Sequence, residues 1–97
     1  MAVAYYIYAV HYKDNDKNTY IDEVRTESIY SGPKSRWTVV TDIENGKLIK
    51  TAVKHSDGKY YEGQDVHVIT VNGSKYLRTD KNSVARDNLE NLPTYDK

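Results

Sequence analysis

The alternation of apolar and polar positions predicts two strands in the first third of the chain. Residues 3–12 carry apolar side chains at both odd and even positions, which is typical of a central strand covered on two faces. A polar turn at residues 13–18 then leads into a second strand at residues 20–29. The charged residues that alternate outward along this second strand are Glu23, Arg25 and Glu27.

A short helix is predicted over residues 38–45, after a loop at residues 31–35 that has the glycine, proline and serine typical of turns. Thr38 is suited to cap the N-terminus of this helix, and Gly46 is suited to end it. The apolar stripe of the helix consists of Val39, Val40 and Ile43. Because β-branched residues weaken an isolated helix, we expect contacts with a sheet to hold this one in place.

The second half of the chain predicts a third strand at residues 47–55 and a turn at residues 56–58. Tyr60 and Tyr61 follow the turn, and we expect a loop at residues 62–64.

A closing hairpin is predicted around Asn72-Gly73, where two β-rich runs meet. This dipeptide favours a type I′ turn, in which both central residues have positive φ. A two-residue turn fixes the register, so that His67 faces Arg78 and Ile69 faces Tyr76.

These elements predict an α+β fold in the order β-β-α-β-β-β, with an antiparallel sheet of four or five strands and the helix on one face. We expect residues 1–97 to form one small domain. We expect residues 81–97 to form a partly ordered, irregular tail. Its sparse apolar stripe, which can fold back against the sheet, consists of Leu89, Leu92, Pro93 and Tyr95.

The composition excludes several classes of protein. The 97 residues contain no cysteine, which excludes disulfides, cysteine nucleophiles and thiolate zinc sites. Basic and acidic residues balance at 14 each, and a duplex nucleic-acid binder usually has a basic excess, so we expect no such partner. The N-terminal segment lacks a basic region and the length of a signal sequence, so we expect a cytoplasmic protein that has no membrane partner.

Catalytic and metal-binding patterns are weak, and we expect no enzyme, no metal and no cofactor. The histidines His11, His55 and His67 fall on different predicted strands with no helical pair of ligands. Arg78 opposite His67 would disfavour a charged imidazole, but an ordinary polar cross-strand pair is the simpler interpretation of the two residues.

A ligand site is the functional hypothesis for the aromatic and cationic residues. Arg36 and Trp37 come just before the predicted helix N-terminus, where backbone N–H groups favour an anion and the Trp can stack on a ring. Arg25, Arg36 or an exposed Arg78 can pair with an anionic group in a bidentate manner. The predicted ligand-binding residues are Arg36, Trp37, Tyr60, Tyr61, His67, Tyr76 and Arg78. The alternative is that the tyrosines serve packing alone.

Several motifs follow one another in a recognisable order. They are Trp37, Asp42-Ile43-Glu44-Asn45-Gly46-Lys47, Tyr60-Tyr61, Val66-His67-Val68, Lys75-Tyr76-Leu77-Arg78-Thr79 and Asn88-Leu89-Glu90-Asn91-Leu92-Pro93. This order resembles the small bacterial and phage family called domain of unknown function 3892, over residues 21–93. The resemblance implies a shared fold, and it implies no activity because the family has none established.

Three functions follow from these observations. The first is a small non-enzymatic binding protein that sequesters or senses an anionic, nucleotide-like ligand, for example in phage–host conflict. If the protein is phage-encoded, we expect it in the cytoplasm of the bacterial host. The second is a protein-interaction or inhibitor module that uses a sheet edge or the Tyr-rich face. The third is binding of single-stranded nucleic acid, which zero net charge weakens. If the first function is correct, we expect the protein to form a homodimer with the ligand near the subunit interface.

Overall fold

The computed structural model describes residues 2–12, 21–27, 32–80, 87, 89 and 92–95. Within these residues the chain forms seven strands and one short helix, which confirms the α+β class. The elements are β1 (Val3–Tyr12), β2 (Ile21–Glu27), β3 (Gly32–Ser35), α1 (Arg36–Glu44), β4 (Leu48–Lys54), β5 (Tyr60–Asp65), β6 (His67–Val71) and β7 (Ser74–Arg78). The predicted turn at residues 13–18 lies outside the described residues.

Five of the strands form one sheet in the order β3-β2-β1-β4-β5. Strand β1 pairs antiparallel with β2 but parallel with β4, so the sheet is mixed, and the prediction of a wholly antiparallel sheet was wrong. The physical reason is the position of the helix in the chain. Helix α1 carries the chain from β3 at one edge to β4 on the far side of β1, and a crossover of this kind delivers a parallel strand.

Two segments that the sequence predicts to be loops form strands in the structure. The segment at residues 31–35 was expected to be a loop, but Gly32–Ser35 pairs antiparallel with β2 as the edge strand β3. The loop expected at residues 62–64 lies within β5, which has an irregularity opposite Thr51. A side chain at Gly63 would overlap the Thr51 hydroxyl, so any other residue there would force Thr51 to move. Glycine and proline are read as turn signals, although both also occur at bulges and edges.

The closing hairpin forms a separate two-stranded sheet, β6-β7, with the predicted register. His67 pairs with Arg78 and Ile69 pairs with Tyr76. Asn72 has a φ of 52° and Gly73 a φ of 82°, as a type I′ turn requires. The hairpin prediction is therefore confirmed.

Helix α1 begins at Arg36, two residues before the predicted start. The N-cap is Ser35, whose hydroxyl accepts a hydrogen bond from the Thr38 N–H, so the prediction of Thr38 as the cap was wrong. Arg36 and Trp37 therefore belong to the first turn of the helix. Its end is as predicted, because Gly46 has a φ of 89° and follows the C-cap.

The core lies between one face of the five-stranded sheet, helix α1 and the hairpin. Its residues are Tyr5, Ile7, Val10, Ile21, Val24, Val39, Val40, Ile49, Val66, Leu77, Leu89 and Leu92. The tail contributes the last two, as its apolar stripe predicts. Beside β1, the Val10 N–H donates to the Pro93 carbonyl at 3.0 Å and the Tyr95 N–H donates to the Val10 carbonyl at 3.1 Å.

The other face of the five-stranded sheet carries polar and aromatic side chains, and we call it the open face. Strand alternation places a side chain on this face wherever its neighbours in sequence point into the core. Side chains of the open face include Tyr6, Tyr8, His11, Glu23, Arg25, Lys50, Tyr60 and Glu62. Tyr95 of the tail also lies there, with its ring centroid 5.8 Å from that of His11.

Candidate functional site

Arg36, a predicted ligand-binding residue, is bound within the protein. Its guanidinium forms an ion pair with Asp87, in which Nη2 lies 3.0 Å from the carboxylate, and Nη1 donates to the Ile21 carbonyl at 2.9 Å. Nη2 also donates to the Lys75 carbonyl at 2.5 Å. These contacts hold the start of α1 against β2 and the hairpin, so Arg36 has a structural role.

Asp87 is the partner that the sequence reasoning missed. It is 1% exposed, and besides Arg36 its carboxylate accepts the Leu77 N–H at 2.8 Å and the Ile21 N–H at 2.5 Å. A buried carboxylate is stable only when it is paired and hydrogen-bonded, and Asp87 is both. The sequence shows a polar tail at this point, and no local pattern singles out Asp87.

Trp37 is 69% exposed in the first turn of α1. It lies beside the hairpin turn and lines a hollow of about 310 Å³ with Gly73, Ser74 and Lys75. However, the Lys75 ammonium is 2.6 Å from the Glu44 carboxylate. Both cations next to Trp37 are thus ion-paired, which weakens this hollow as an anion site.

Arg78 was expected to be exposed, but it is only 5% exposed. Its Nε lies 2.7 Å from Asp80 Oδ1 and its Nη2 lies 3.0 Å from Asp80 Oδ2, so the two form a bidentate pair. This hydrogen bonding raises the pKa of Arg78 further above its usual value. His67 and Tyr76 lie on the same face of the hairpin as Arg78, and strand alternation places that face opposite the one with Leu77.

Tyr60 and Tyr61 are neighbours in β5 and therefore lie on opposite faces of the sheet. Tyr60 is on the open face, with its ring centroid 5.7 Å from that of Tyr8. The Tyr61 ring centroid is 4.4 Å from that of His55, and its hydroxyl donates to Asp57 at 2.6 Å. This hydrogen bond raises the pKa of Tyr61 and lowers the pKa of Asp57.

The seven predicted residues therefore do not converge on one surface. Arg36 and Trp37 lie together beside the hairpin turn, whereas Tyr60 lies on the open face. A role for any of them in binding stays a prediction.

A groove on the open face brings together a different set of side chains. We call it the open-face groove; its volume is about 340 Å³ and it is lined by Tyr8, Glu23, Arg25, Gly32, Pro33 and Tyr95. Strands β1, β2 and β3 and the tail each contribute to it. The outward alternation along β2 predicts Glu23 and Arg25 at this face, and Arg25 was named as a candidate anion-binding cation.

Arg25 is the exposed cation of the open-face groove. Its guanidinium carbon lies 4.3 Å above the Tyr95 ring centroid, a cation–π arrangement. Among the described residues, no carboxylate lies within ion-pair distance of Arg25, in contrast to Arg36 and Arg78. The guanidinium therefore keeps donors that can face a ligand in the groove.

Tyr95 connects the two charged residues of the groove. Its hydroxyl donates to Glu23 Oε2 at 2.8 Å while its ring lies under Arg25. Burial, followed by the hydrogen bond to Glu23, raises the pKa of Tyr95, and Arg25 acts in the opposite direction. Tyr95 thus stays neutral and fixes the positions of both side chains.

Within the described residues, no helix has the length and apolar character needed to span a bilayer. Comparison with curated proteins and with solved structures found no significant match. The profile of the family described as Protein of unknown function (DUF3892) matches residues 6–93, which include most of the groove residues and end two positions before Tyr95. Because this match covers most of the chain, the protein belongs to the DUF3892 family.

Proposed function

We propose that this protein is a small non-enzymatic binding protein that holds an anionic, ring-containing ligand of nucleotide type in the open-face groove. The observation that carries the proposal is Arg25, which is exposed, stacked on Tyr95 and without a carboxylate at ion-pair distance among the described residues. A guanidinium matches a phosphate or carboxylate by two parallel hydrogen bonds, and neutralisation by an internal carboxylate would remove that capacity.

The rest of the groove suits a planar ring. Tyr8, Pro33 and Tyr95 provide apolar and aromatic walls against which a ring can stack. A volume of about 340 Å³ is at the small end of the range for ligand sites, which favours a mononucleotide over a dinucleotide. Such binding would sequester or sense a nucleotide signal, for example in phage–host conflict, in the cytoplasm. A second copy of the chain that covers the open side of the groove would form the homodimer expected from the sequence.

The test is titration calorimetry of the protein with AMP, GMP, UMP and a cyclic dinucleotide. We expect Arg25→Ala to weaken binding of the mononucleotides by at least about tenfold, the loss typical of a charge-assisted hydrogen-bonded pair. Arg25→Lys should recover only part of the affinity, because it keeps the charge without the fork. The matched control is Lys54→Ala, since Lys54 is an exposed cation of β4 that does not line the groove. Equal affinities of wild type and Arg25→Ala would reject the proposal.

A protein-interaction module is the second candidate, and the exposure of Trp37 favours it. An exposed Trp is a frequent anchor of protein interfaces. Both edges of the sheet are poor templates for strand addition, since β3 is short and contains Pro33, and β5 has an irregularity and carries Glu62 at its exposed edge. A partner would therefore use the Trp37 hollow or the Tyr-rich open face. Loss of a stoichiometric partner on Trp37→Ala, with unchanged nucleotide binding, would support this candidate.

Single-stranded nucleic acid is the third candidate. Aromatic side chains on a sheet can stack on successive bases. The acidic residues Glu23 and Glu62 on the same face weaken the attraction for a phosphate backbone, which makes a single nucleotide the better fit.

A further inference from the structure

Glu23 and Arg25 occupy alternate positions of β2 and therefore project from the same face, about 7 Å apart along the strand. The Glu23 carboxylate would repel a ligand that binds Arg25 only through an anionic group. A ligand that also presents hydrogen-bond donors to Glu23 offsets this repulsion and therefore fits the groove better. Resting on the function proposed above, we infer that the open-face groove selects a guanine nucleotide, with the phosphate at Arg25 and the base edge at Glu23.

The polarity of the hydrogen bonds gives the choice of base. An ionised carboxylate only accepts hydrogen bonds, and it has room for about four across its two oxygens. In Glu23, Oε2 accepts the Tyr95 hydroxyl, and this leaves acceptor capacity on both oxygens. The Watson–Crick edge of guanine presents adjacent N–H donors at N1 and at the exocyclic amine, and a single carboxylate can accept both.

Adenine fits this lining less well. Its Watson–Crick edge places the ring acceptor N1 next to the amino donor, and an Asn or Gln amide matches that combination of donor and acceptor. The residues that line the groove, all of them described, include no Asn or Gln. The N1 of adenine would face the Glu23 carboxylate, and two acceptors in contact repel each other. Uracil has one N–H between two carbonyl oxygens and would meet the same repulsion.

Tyr95 makes this selection possible by holding the two charged groups in place. Its hydroxyl fixes the Glu23 carboxylate, and its ring supports the Arg25 guanidinium at 4.3 Å. Side chains that are already fixed lose less conformational entropy when the ligand binds, which favours discrimination between related ligands. Tyr8 and Pro33 then form the walls beside the base.

The experiment compares the affinities of GMP, AMP and guanosine by titration calorimetry, first with the wild-type protein. We expect GMP to bind at least about tenfold more tightly than AMP, the ratio that one bidentate contact to a base provides. Guanosine should bind more weakly than GMP because it lacks the phosphate. This comparison requires no variant, so it does not depend on the folding of any mutant.

The variant that tests the residue is Glu23→Gln, which keeps the size of the side chain and replaces one acceptor oxygen by a donor. We expect the AMP-to-GMP ratio of dissociation constants to fall to about one or below in this variant, because the amide loses one acceptor for guanine and offers adenine a donor beside an acceptor. The matched control is Glu27→Gln, since Glu27 alternates outward on the same strand but does not line the groove, and its ratio should equal that of the wild type. Melting temperatures of both variants check that they fold.

The outcomes separate this inference from the proposed function. If GMP and AMP bind equally and Arg25→Ala removes both, the selection of guanine is wrong and the proposed function stands. If the wild type prefers GMP but Glu23→Gln keeps the full preference, Glu23 does not recognise the base and the inference is overturned. If no nucleotide binds, both the inference and the proposed function are wrong.

Discussion

The carboxylate of Asp87 and the guanidinium of Arg36 meet inside the protein, although 51 positions separate them in the chain, and Arg36 Nη2 lies 3.0 Å from Asp87 Oδ1. The pair joins the tail to the first turn of α1. Because Leu89 and Leu92 follow Asp87 into the core, this contact sits at the start of the segment that ends with Tyr95 beside β1. By pairing with Asp87, Arg36 helps to hold the segment that supplies Tyr95 to the open-face groove.

Removal of one member of this pair should be costly. In Asp87→Ala the Arg36 guanidinium and two backbone N–H groups lose their acceptor in a buried setting, and we expect the free energy of unfolding to fall by about 3–5 kcal/mol. Urea denaturation followed by tryptophan fluorescence measures this change. The control is Lys75→Ala, which breaks the exposed pair with Glu44 and should cost less than about 1 kcal/mol. A similar small cost in both variants would show that Asp87 does not hold the tail.

The closing turn makes a second prediction about stability. Gly73 has a φ of 82°, and a β-branched residue there is forced into a region that L-residues avoid, so Gly73→Val should cost at least about 1–2 kcal/mol. Asn72→Gly is the matched control, since glycine adopts positive φ freely, and we expect a change within about 0.5 kcal/mol. Chemical denaturation of the two variants gives both values. A tolerated valine at position 73 would mean that the turn is not held in this conformation.

Local patterns predict the parts of the fold that depend on neighbouring residues. The register of β6 and β7 follows from the two-residue turn at Asn72-Gly73, and the end of α1 follows from Gly46. The parallel pairing of β1 with β4 depends on the path of the chain through α1, which no local alternation of side chains records. Strand β3 was missed because its glycine and proline resemble a turn.

The spatial separation of the predicted ligand-binding residues has a related reason. The exposure of Arg25, which lines the open-face groove, follows from alternation along β2. Whether an arginine is available to a ligand depends on its ion pairs, and Asp87 is distant in sequence from Arg36. Asp80, by contrast, is only two positions from Arg78, so the sequence alone would have allowed a prediction of this ion pair. The position of Tyr95 depends on the docking of the tail.

Alkaline pH should destabilise the protein in a way that depends on Tyr5. Its hydroxyl donates to Asp42 at 2.8 Å, and burial, followed by this hydrogen bond, raises the pKa of Tyr5 above its usual value of 10.0. Above pH 10 the unfolded state releases the proton while the folded state keeps it. The stabilisation is therefore complete below pH 10 and is lost as the pH rises from there towards the folded-state pKa.

The measurement is urea denaturation at pH 10 and pH 11. Between these values the free energy of unfolding should fall by about 1 kcal/mol more in the wild type than in Tyr5→Phe, which has no proton to lose at this position. At neutral pH the variant should be less stable by about 0.5–1.5 kcal/mol, because it lacks the hydrogen bond to Asp42. The same decrease between pH 10 and pH 11 in both proteins would mean that Tyr5 ionises alike in the folded and unfolded states.

Tyr95 provides the most direct prediction about the groove. Its ring supports Arg25 and its hydroxyl binds Glu23, so Tyr95→Ala removes a wall and both contacts, and we expect GMP to bind at least about tenfold more weakly. Tyr95→Phe keeps the ring under Arg25 and loses only the hydrogen bond to Glu23. It should retain most of the affinity for GMP but discriminate less against AMP, because Glu23 is then free to turn.

Titration calorimetry of both Tyr95 variants with GMP and AMP measures these effects, and their melting temperatures show whether the tail stays docked. Tyr95 is only partly buried, and we expect a small change in the free energy of unfolding for the phenylalanine variant. If Tyr95→Ala binds GMP as the wild type does, the ligand does not occupy the open-face groove. If the phenylalanine variant loses as much affinity as the alanine variant, the hydroxyl rather than the ring holds the site together, and Glu23 becomes the residue on which binding depends.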